Sequence, residues 1–403
     1  MSRDTIYEEL KRRALEALSK PAPYGVDIDV EQLVNYTPKR RVTILSERER
    51  VKQVGIDVSS KTRSAYFYQV DSRIEAYGSL VSGVEILPLE QAIEERWDEV
   101  RKYFWRLIPV DMDKYTAVTF LKSSGGCYIR VKKNTRVDLP IQTCFLLSGG
   151  TQFVHNIVVV EEGAEATIVT GCTIAPEEMG LHIGITEIYL ERKAKLVDVM
   201  IHSWNRVTHV RPRTAVVLDD DAVYASYYIN MSVTKSLQSL PKVYARGVNS
   251  RVYSATIILG LGESVHDIGS IAELSGEHSR AELVSKVVAR DRSKITTRLR
   301  ISSLAPKTSG YVECRGLLLS ETSSITTIPE LEASHSDAEL FHEASIGKLR
   351  DDEIEYLMIK GFSYEEAISM LIRGFVDIEL KYLPPQVEKA LQSVLDVLAK
   401  KSV

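Results

Sequence analysis

The stretch GAEATIVTGCTIAP, residues 163–176, decides how the chain is to be read. A turn-forming glycine and a small alanine lead into EATIVT, whose polar and apolar side chains alternate with the period of a β-strand. The pattern returns on both sides, in CYIRVK, EIYLER, AVVLD, SATIIL and KITTRLRI, with small clusters of Gly, Asn, Asp and Ser between them. From about Ala117 to residue 350, helical spacing is almost absent.

The segments also keep register. A polar turn residue precedes a small one at Asn134-Thr135, Gly163-Ala164, Lys193-Ala194, Asp221-Ala222, Asn249-Ser250, His278-Ser279, Lys307-Thr308 and Asp337-Ala338, and the small residues recur every 28 to 30 positions. A fixed period of this size signals a solenoid, and the β composition makes it a β-helix. A β-sandwich with evenly spaced turns is the alternative; eight pairs in near-register favour the solenoid. The chain divides into a helical or mixed region at 1–114, a β-helix core at 115–345 and a helical region at 346–403.

Helix signals mark both flanks. Asp4 is placed to cap a helix through Ile6, Leu10 and Leu18 that stops before Pro21. LEQAIEERWDEVRKYFWRL, residues 89–107, reads as one helix through Ile93, Trp97, Val100 and Phe104, closed by Pro109. Near the end, Asp351 or Asp352 caps a helix that Gly361 ends. Ser363 and Glu366 form a capping box for a second helix, ended by Gly374, and Pro384-Pro385 opens a third with Val387, Leu391, Val394 and Leu398. These helices are expected to cap the open end of the solenoid. Ile354, Tyr356, Met358, Phe362, Met370 and Phe375 are spare apolar surface, for internal packing or for a partner.

Of 403 residues, 44% are hydrophobic and 26% charged, with 51 basic and 55 acidic side chains and a net charge of −4. That is an ordinary globular balance with no global pull toward nucleic acid or an anionic membrane. No apolar run reaches the ~18 residues of a membrane span. The opening MSRDTIYEELKRRALEAL is amphipathic rather than the apolar core of a signal peptide. Cys127, Cys144, Cys172 and Cys314 are scattered without a CxxC pair, which points to a reducing cytoplasm. No GxxxxGK followed by Ser or Thr occurs, so any use of ATP belongs to a partner.

The repeat gives each β residue a position counted from its small residue. Equal positions stack about 4.8 Å apart, and equal parity means a shared face. Cys172 and His202 each stand 8 residues past their small residue and should stack directly. Cys314 stands 6 past Thr308 and His342 stands 4 past Ala338, so they share a face on adjacent rungs. Their backbones are then about 8 Å apart, within reach of a common ligand. Cys172 and Cys314 also share parity but lie about 24 Å apart, too far to hold one ion together. Between them runs a mostly polar column: Thr170, Met200, Tyr228, Thr256, Ser285, Cys314. Facing inward, it would join the two cysteines; facing solvent, its polarity needs no explanation, and parity does not choose.

Thiolate, imidazole and carboxylate are iron ligands. A thiol reacts as its thiolate, which a protonated His202 would favour at Cys172. Taken singly, a buried cysteine is a small hydrophobe, His342 a core histidine, and Glu343, at opposite parity, a surface charge. Cys127 and Cys144 read as structural.

ELEASHSDAELFHEASIGKL with DDEIEYLMIKGFSYEEAISMLIRGFV, GYVECRGLLLS around Cys314 and VTGCTIAP around Cys172 resemble the SufB/SufD family of iron–sulfur cluster assembly scaffolds. The likeness covers roughly residues 115 to 380 and is strongest in the C-terminal third. It implies a right-handed parallel β-helix and a C-terminal helical domain that binds SufC, an ABC-type ATPase, through surface such as Ile354, Met358, Phe362, Ile368 and Phe375. It implies pairing with a second scaffold, as homodimer or heterodimer. It further implies that Cys172 accepts persulfide sulfur from a cysteine desulfurase system. Sulfur then passes along the interior by His202, Trp204 and Arg213 to Cys314, where a transient iron–sulfur cluster forms with His342 and Glu343 at the scaffold interface. The family has Gln at His202 and Lys at Arg213, keeps Trp204, and has an Arg and an Asn where this chain has Leu146 and Ser148. Arginine cannot shuttle protons readily.

Two other functions fit the residues less closely. A structural adaptor for an ATPase would need no reactive cysteine. A β-helix that cleaves polysaccharide would need two carboxylates facing one cleft, with Glu332 and Glu343 the nearest candidates.

Overall fold

Seven of the eight turn pairs share one backbone event in the computed structural model, which describes residues 3–58 and 62–402. Asn134, Gly163, Lys193, Asp221, Asn249, His278 and Lys307 have φ between 54° and 67°, the left-handed region. The next residue must then be small because it tucks under the corner: Ala164, Ala194, Ala222, Ser250 and Ser279 are fully buried.

Each corner feeds a strand of a first sheet. Ala65–Val70, Ile141–Leu147, Glu165–Ile174, Lys195–Ser203, Val223–Asn230, Arg251–Gly260, Arg280–Ala289, Ser309–Leu318 and Glu339–Lys348 pair in that order, all parallel. The chain returns through a second parallel sheet: Cys127–Val131, Gly150–Val160, Gly180–Leu190, two interrupted rungs, Val265–Leu274, Lys294–Ser303 and Ser324–Ala333. Pro212 splits Thr208–Val210 from Arg213–Leu218, and Pro241 splits Ser236–Ser239 from Lys242–Ala245, since proline donates no ladder hydrogen bond. The result is a parallel β-solenoid of about 8 turns with helices at both termini. Its interior is filled from both sheets, by Ile168, Leu196, Ile258 and Leu283 facing Val158, Ile188, Ile268 and Leu299.

The two outer faces are covered differently. The second sheet lies under the N-terminal region, where Leu10, Ala14, Ile93, Val118 and Tyr115 pack on Ile183 and Ile185. Buried Glu187 pins this layer by accepting from the backbone N–H of Trp105, Leu107 and Ile108 and by pairing with His155 Nε2. The first sheet carries the C-terminal helix Pro385–Lys401, whose stripe Val387, Leu391, Val394, Leu398 packs on Val199, Ile201 and Ile229. Tyr227 and Tyr253 donate to the carbonyls of Lys381 and Glu379 and hold the tail there.

The last two helices, Tyr364–Phe375 and Pro385–Lys401, therefore lie along the flank of the solenoid, not over its end as the sequence suggested. Their apolar stripe matches the outward apolar rows of the first sheet. The last rung is left bare, with Phe341 62% and Ile346 44% exposed.

Four more local expectations change. Arg96, at φ −137°, breaks the 89–107 helix into Leu89–Glu95 and Trp97–Val100. A helix at Lys114–Lys122, capped by Asp113, precedes the first core strand. Ala65–Val70, in the region read as helical or mixed, pairs in parallel with Ile141–Leu147 and so belongs to the solenoid's first sheet. Asp4, Asp351 and Asp352 lie inside first turns rather than at caps, whereas the Ser363–Glu366 capping box is present. No helix among the described residues is long and apolar enough to cross a membrane.

Candidate functional site

The polar column faces inward. Thr170, Met200, Tyr228, Thr256, Ser285 and Cys314 are register partners in turn along the first sheet. Tyr228 and Cys314 belong to the interior core with Cys172, and Thr143 extends the column beyond Thr170 through a 2.8 Å hydroxyl contact.

At one end, Cys172 is opposite His202. Its thiol is 2% exposed, and burial pushes its pKa well up. His202 Nδ1 is 2.9 Å from the Tyr228 hydroxyl, while Nε2 has no hydrogen-bond partner in the protein. Burial, then the neighbouring His182, holds His202 neutral, so the protonated imidazole expected beside Cys172 is not its resting form. Trp204 packs edge-on against His202 at 5.5 Å, and its Nε1 is likewise buried without a partner. Cys172 and His202 line a cavity of about 40 Å³ inside the solenoid. A second cavity of about 20 Å³, around Tyr228 and Thr256, shares the Asp198, Met200, Pro212 and Thr214 walls.

Sequence reasoning missed three residues of this wall. His182 and Asp198 project from the two sheets, and Cys127, read as structural, lines the same space as Cys172. Burial raises Asp198 to about 6, offset by a 3.2 Å hydrogen bond from the Tyr224 hydroxyl. Cys144 faces the other way, into the layer under the C-terminal helix. Leu146 lies in that layer too, and Ser148 Oγ accepts from Val42 N, so neither reaches the cavity.

Arg213 is not part of this interior. It projects from the outer face of the second sheet, where Nε donates to Asp113 at 2.9 Å and the guanidinium lies over the rings of Tyr24 and Tyr115. The strand alternates: Thr214 lines the cavity, so its neighbour must point away.

At the other end, Cys314 is 1% exposed, and burial lifts its pKa to about 11 despite a hydrogen bond with Thr297. It is opposite Ala344, and Val312 is opposite His342, so His342 shares the interior-facing side with Cys314 on the bare rung. Glu343 points outward, accepting from Tyr311 Oη at 3.1 Å and Arg315 at 3.3 Å. Among the described residues no three His, Cys, Asp or Glu side chains are grouped to hold a metal ion, so one chain does not assemble Cys314, His342 and Glu343 into a ligand set.

The C-terminal residues split by exposure. Ile354 is buried, and Ile368 and Phe375 pack on the first-sheet layer. Met358 and Phe362 are exposed, together with Tyr356, Tyr364, Met370 and Ile359, the last at 82%.

What the fold and its site define is a β-solenoid protein with two thiols on one interior wall, five rungs apart. The family model described as "SUF system FeS cluster assembly, SufBD core domain" matches residues 145–375. An "Iron-sulfur cluster assembly SufBD family protein" of Archaeoglobus fulgidus is 39% identical over 87% of this chain and 95% of its own length. A similarly named protein of Methanothermobacter thermautotrophicus strain Winter is 36% identical over 99% of this chain and all of its own. One from Pyrococcus horikoshii is 29% identical over 96% and 92%. The chain belongs to the SufBD family of iron–sulfur cluster assembly proteins.

Proposed function

We propose that this chain is a scaffold that accepts sulfur at Cys172 and builds a nascent cluster around Cys314 at a scaffold–scaffold interface. One observation carries the reading: both thiols face the same buried interior of one sheet, joined by the stacked column from Thr170 to Ser285. The column supplies hydroxyls to sulfur in transit, and burial shields it from oxidants.

The cluster is cargo. Cys314 and His342 supply a thiolate and an imidazole at the bare rung, and a second chain docked there supplies further ligands, with Glu343 at its rim. An incomplete, mixed ligand set holds a cluster loosely, which suits release. The partner chains are a SufC-type ATPase on the exposed apolar side chains of residues 356–370 and a second SufBD scaffold. A cysteine desulfurase system supplies sulfur in the cytoplasm.

Anaerobic reconstitution with iron and sulfide tests the assembly end. Wild type should bind both and Cys314→Ser should lose them with its fold intact. Equal iron in the two contradicts the assignment.

The incomplete ligand set favours one other reading, an adaptor with no cluster of its own. It is separated by a cell-based test: an adaptor keeps its function in Cys172→Ser and Cys314→Ser. The carbohydrate reading loses its support, because Glu332 and Glu343 point outward from opposite sheets, toward Arg300 and Arg315.

A further inference from the structure

The side-chain amide of Gln152 fixes the tautomer of His182. Gln152 Nε2 donates to the carbonyls of Asp71 at 2.9 Å and Leu146 at 3.4 Å. Both are acceptors only, so the NH2 end faces them and Oε1 faces His182 Nδ1 at 2.9 Å. His182 must donate through Nδ1–H, which leaves the lone pair on Nε2. That nitrogen turns toward Gly184, where a Cβ would stand 3.2 Å from it. Gly184 is part of the cavity wall shared with Cys172. His202 has no such anchor: its Nδ1 is 2.9 Å from the Tyr228 hydroxyl, which can donate or accept. In the tautomer where Tyr228 donates, the imidazole carries Nε2–H; that nitrogen and Nε1–H of the adjacent Trp204 are both buried without a partner.

We propose that His182 accepts the proton of Cys172 as that thiol takes up sulfur, and that His202 Nε2–H and Trp204 Nε1–H hold the developing sulfur anion. The inference rests on reading Cys172 as the sulfur acceptor. The co-reactant is a protein-bound cysteine persulfide, R–S–SH. Cys172 Sγ attacks its terminal sulfur; the new S–S bond forms as the old one breaks. The donor sulfur leaves with the bonding pair as a thiolate and takes the proton from His182. The products are Cys172–S–SH and R–SH, so no outside oxidant or reductant is needed.

The surroundings fit a proton acceptor used only during transfer. Cys127, Cys172, Asp198 and His202 are the other titratable groups on the cavity wall; Tyr228 adjoins through His202, and Asp71 lies behind Gln152, bound to Ser148 N. Burial lowers His182 to about 3 and raises Cys172, so both are neutral at rest and the thiol is protected.

The test uses the full chain with glutathione persulfide as probe and peptide mass spectrometry of sulfur added at Cys172, across pH 6 to 9. His182→Phe keeps the ring packing and should slow uptake about a hundredfold at pH 7. The wild-type-to-variant ratio cancels the probe's own titration and should shrink about tenfold per pH unit, as hydroxide replaces the lost base. A merely structural histidine would not produce that slope. Gln152→Leu keeps the imidazole but frees its tautomer, should slow uptake about tenfold, and carries the test if His182→Phe does not fold. Equal rates in wild type and the folded variants at every pH overturn the His182 inference alone. No sulfur on Cys172 of wild type overturns the acceptor reading beneath it.

Discussion

Cys172 and His202 are direct register partners on adjacent rungs, and His202 is bonded in turn to the Tyr228 hydroxyl at 2.9 Å. A thiol, an imidazole and a phenol are thus stacked inside a β-solenoid where a hydrocarbon core would be more stable. Buried groups of this kind cost several kcal/mol when their partners are incomplete, and His202 Nε2 and Trp204 Nε1 are left incomplete.

The thiols should be silent in the native protein. All four cysteines are free and buried. With a pKa near 11, Cys314 is about one part in a thousand thiolate at pH 8. A colorimetric thiol titration should find almost no fast-reacting group in the folded chain and four in denaturant. A fast native thiol would mean that one of these sites opens readily.

Asp198 should make the fold less stable as pH rises. Its folded pKa, raised by burial to about 6, exceeds the unfolded value near 4, so the native state holds the extra proton between them. Its destabilising effect grows from about pH 4 to 6 and is constant above. Asp198→Asn, which keeps an acceptor for Tyr224, should gain about 2 to 3 kcal/mol above pH 6 and almost nothing at pH 4. Urea unfolding at the two pH values reads the difference.

Arg213 should matter for stability and not for sulfur. Its ion pair with Asp113 is buried on both sides, and Asp113 also caps the helix at Lys114–Lys122. Asp113→Ala leaves a buried guanidinium unpaired and should cost about 3 to 5 kcal/mol. Arg213→Lys should leave sulfur uptake at Cys172 unchanged while lowering the melting temperature.

The C-terminal surface should separate binding from folding. Met358→Asp and Ile359→Asp change exposed positions and should alter stability by less than about 0.5 kcal/mol. Each should abolish copurification with the ATPase. Leu391→Ala, on the buried face of the last helix, should instead cost about 2 to 5 kcal/mol. Retained copurification in the first pair would move the docking site elsewhere.

Much of this was legible in the sequence because a β-solenoid writes its register there. The small residue after each left-handed corner anchors the count, so the Cys172–His202 pairing and the column to Cys314 follow from spacing alone. Which side the column faces did not follow, since alternation is symmetric between the two faces. His182 and Asp198 were missed for different reasons. The second sheet has no comparable anchor near His182, because loops of varying length and the breaks at Pro212 and Pro241 disturb its count. Asp198 looks like any polar strand residue until Tyr224 is seen to cover it. The strand at Ala65–Val70 was missed because its parallel partner lies 76 residues on, beyond the reach of any local pattern.

The most direct test of the central claim is to follow sulfur between the two ends. The complete chain is loaded with persulfide sulfur under anaerobic conditions, and the Cys172 and Cys314 peptides are compared by mass spectrometry in wild type and Cys172→Ser. Passage along the interior requires added sulfur on both peptides of wild type and on neither position of the variant. A Cys314 peptide that gains sulfur equally without Cys172 would contradict it, and the two thiols would then be separate sites.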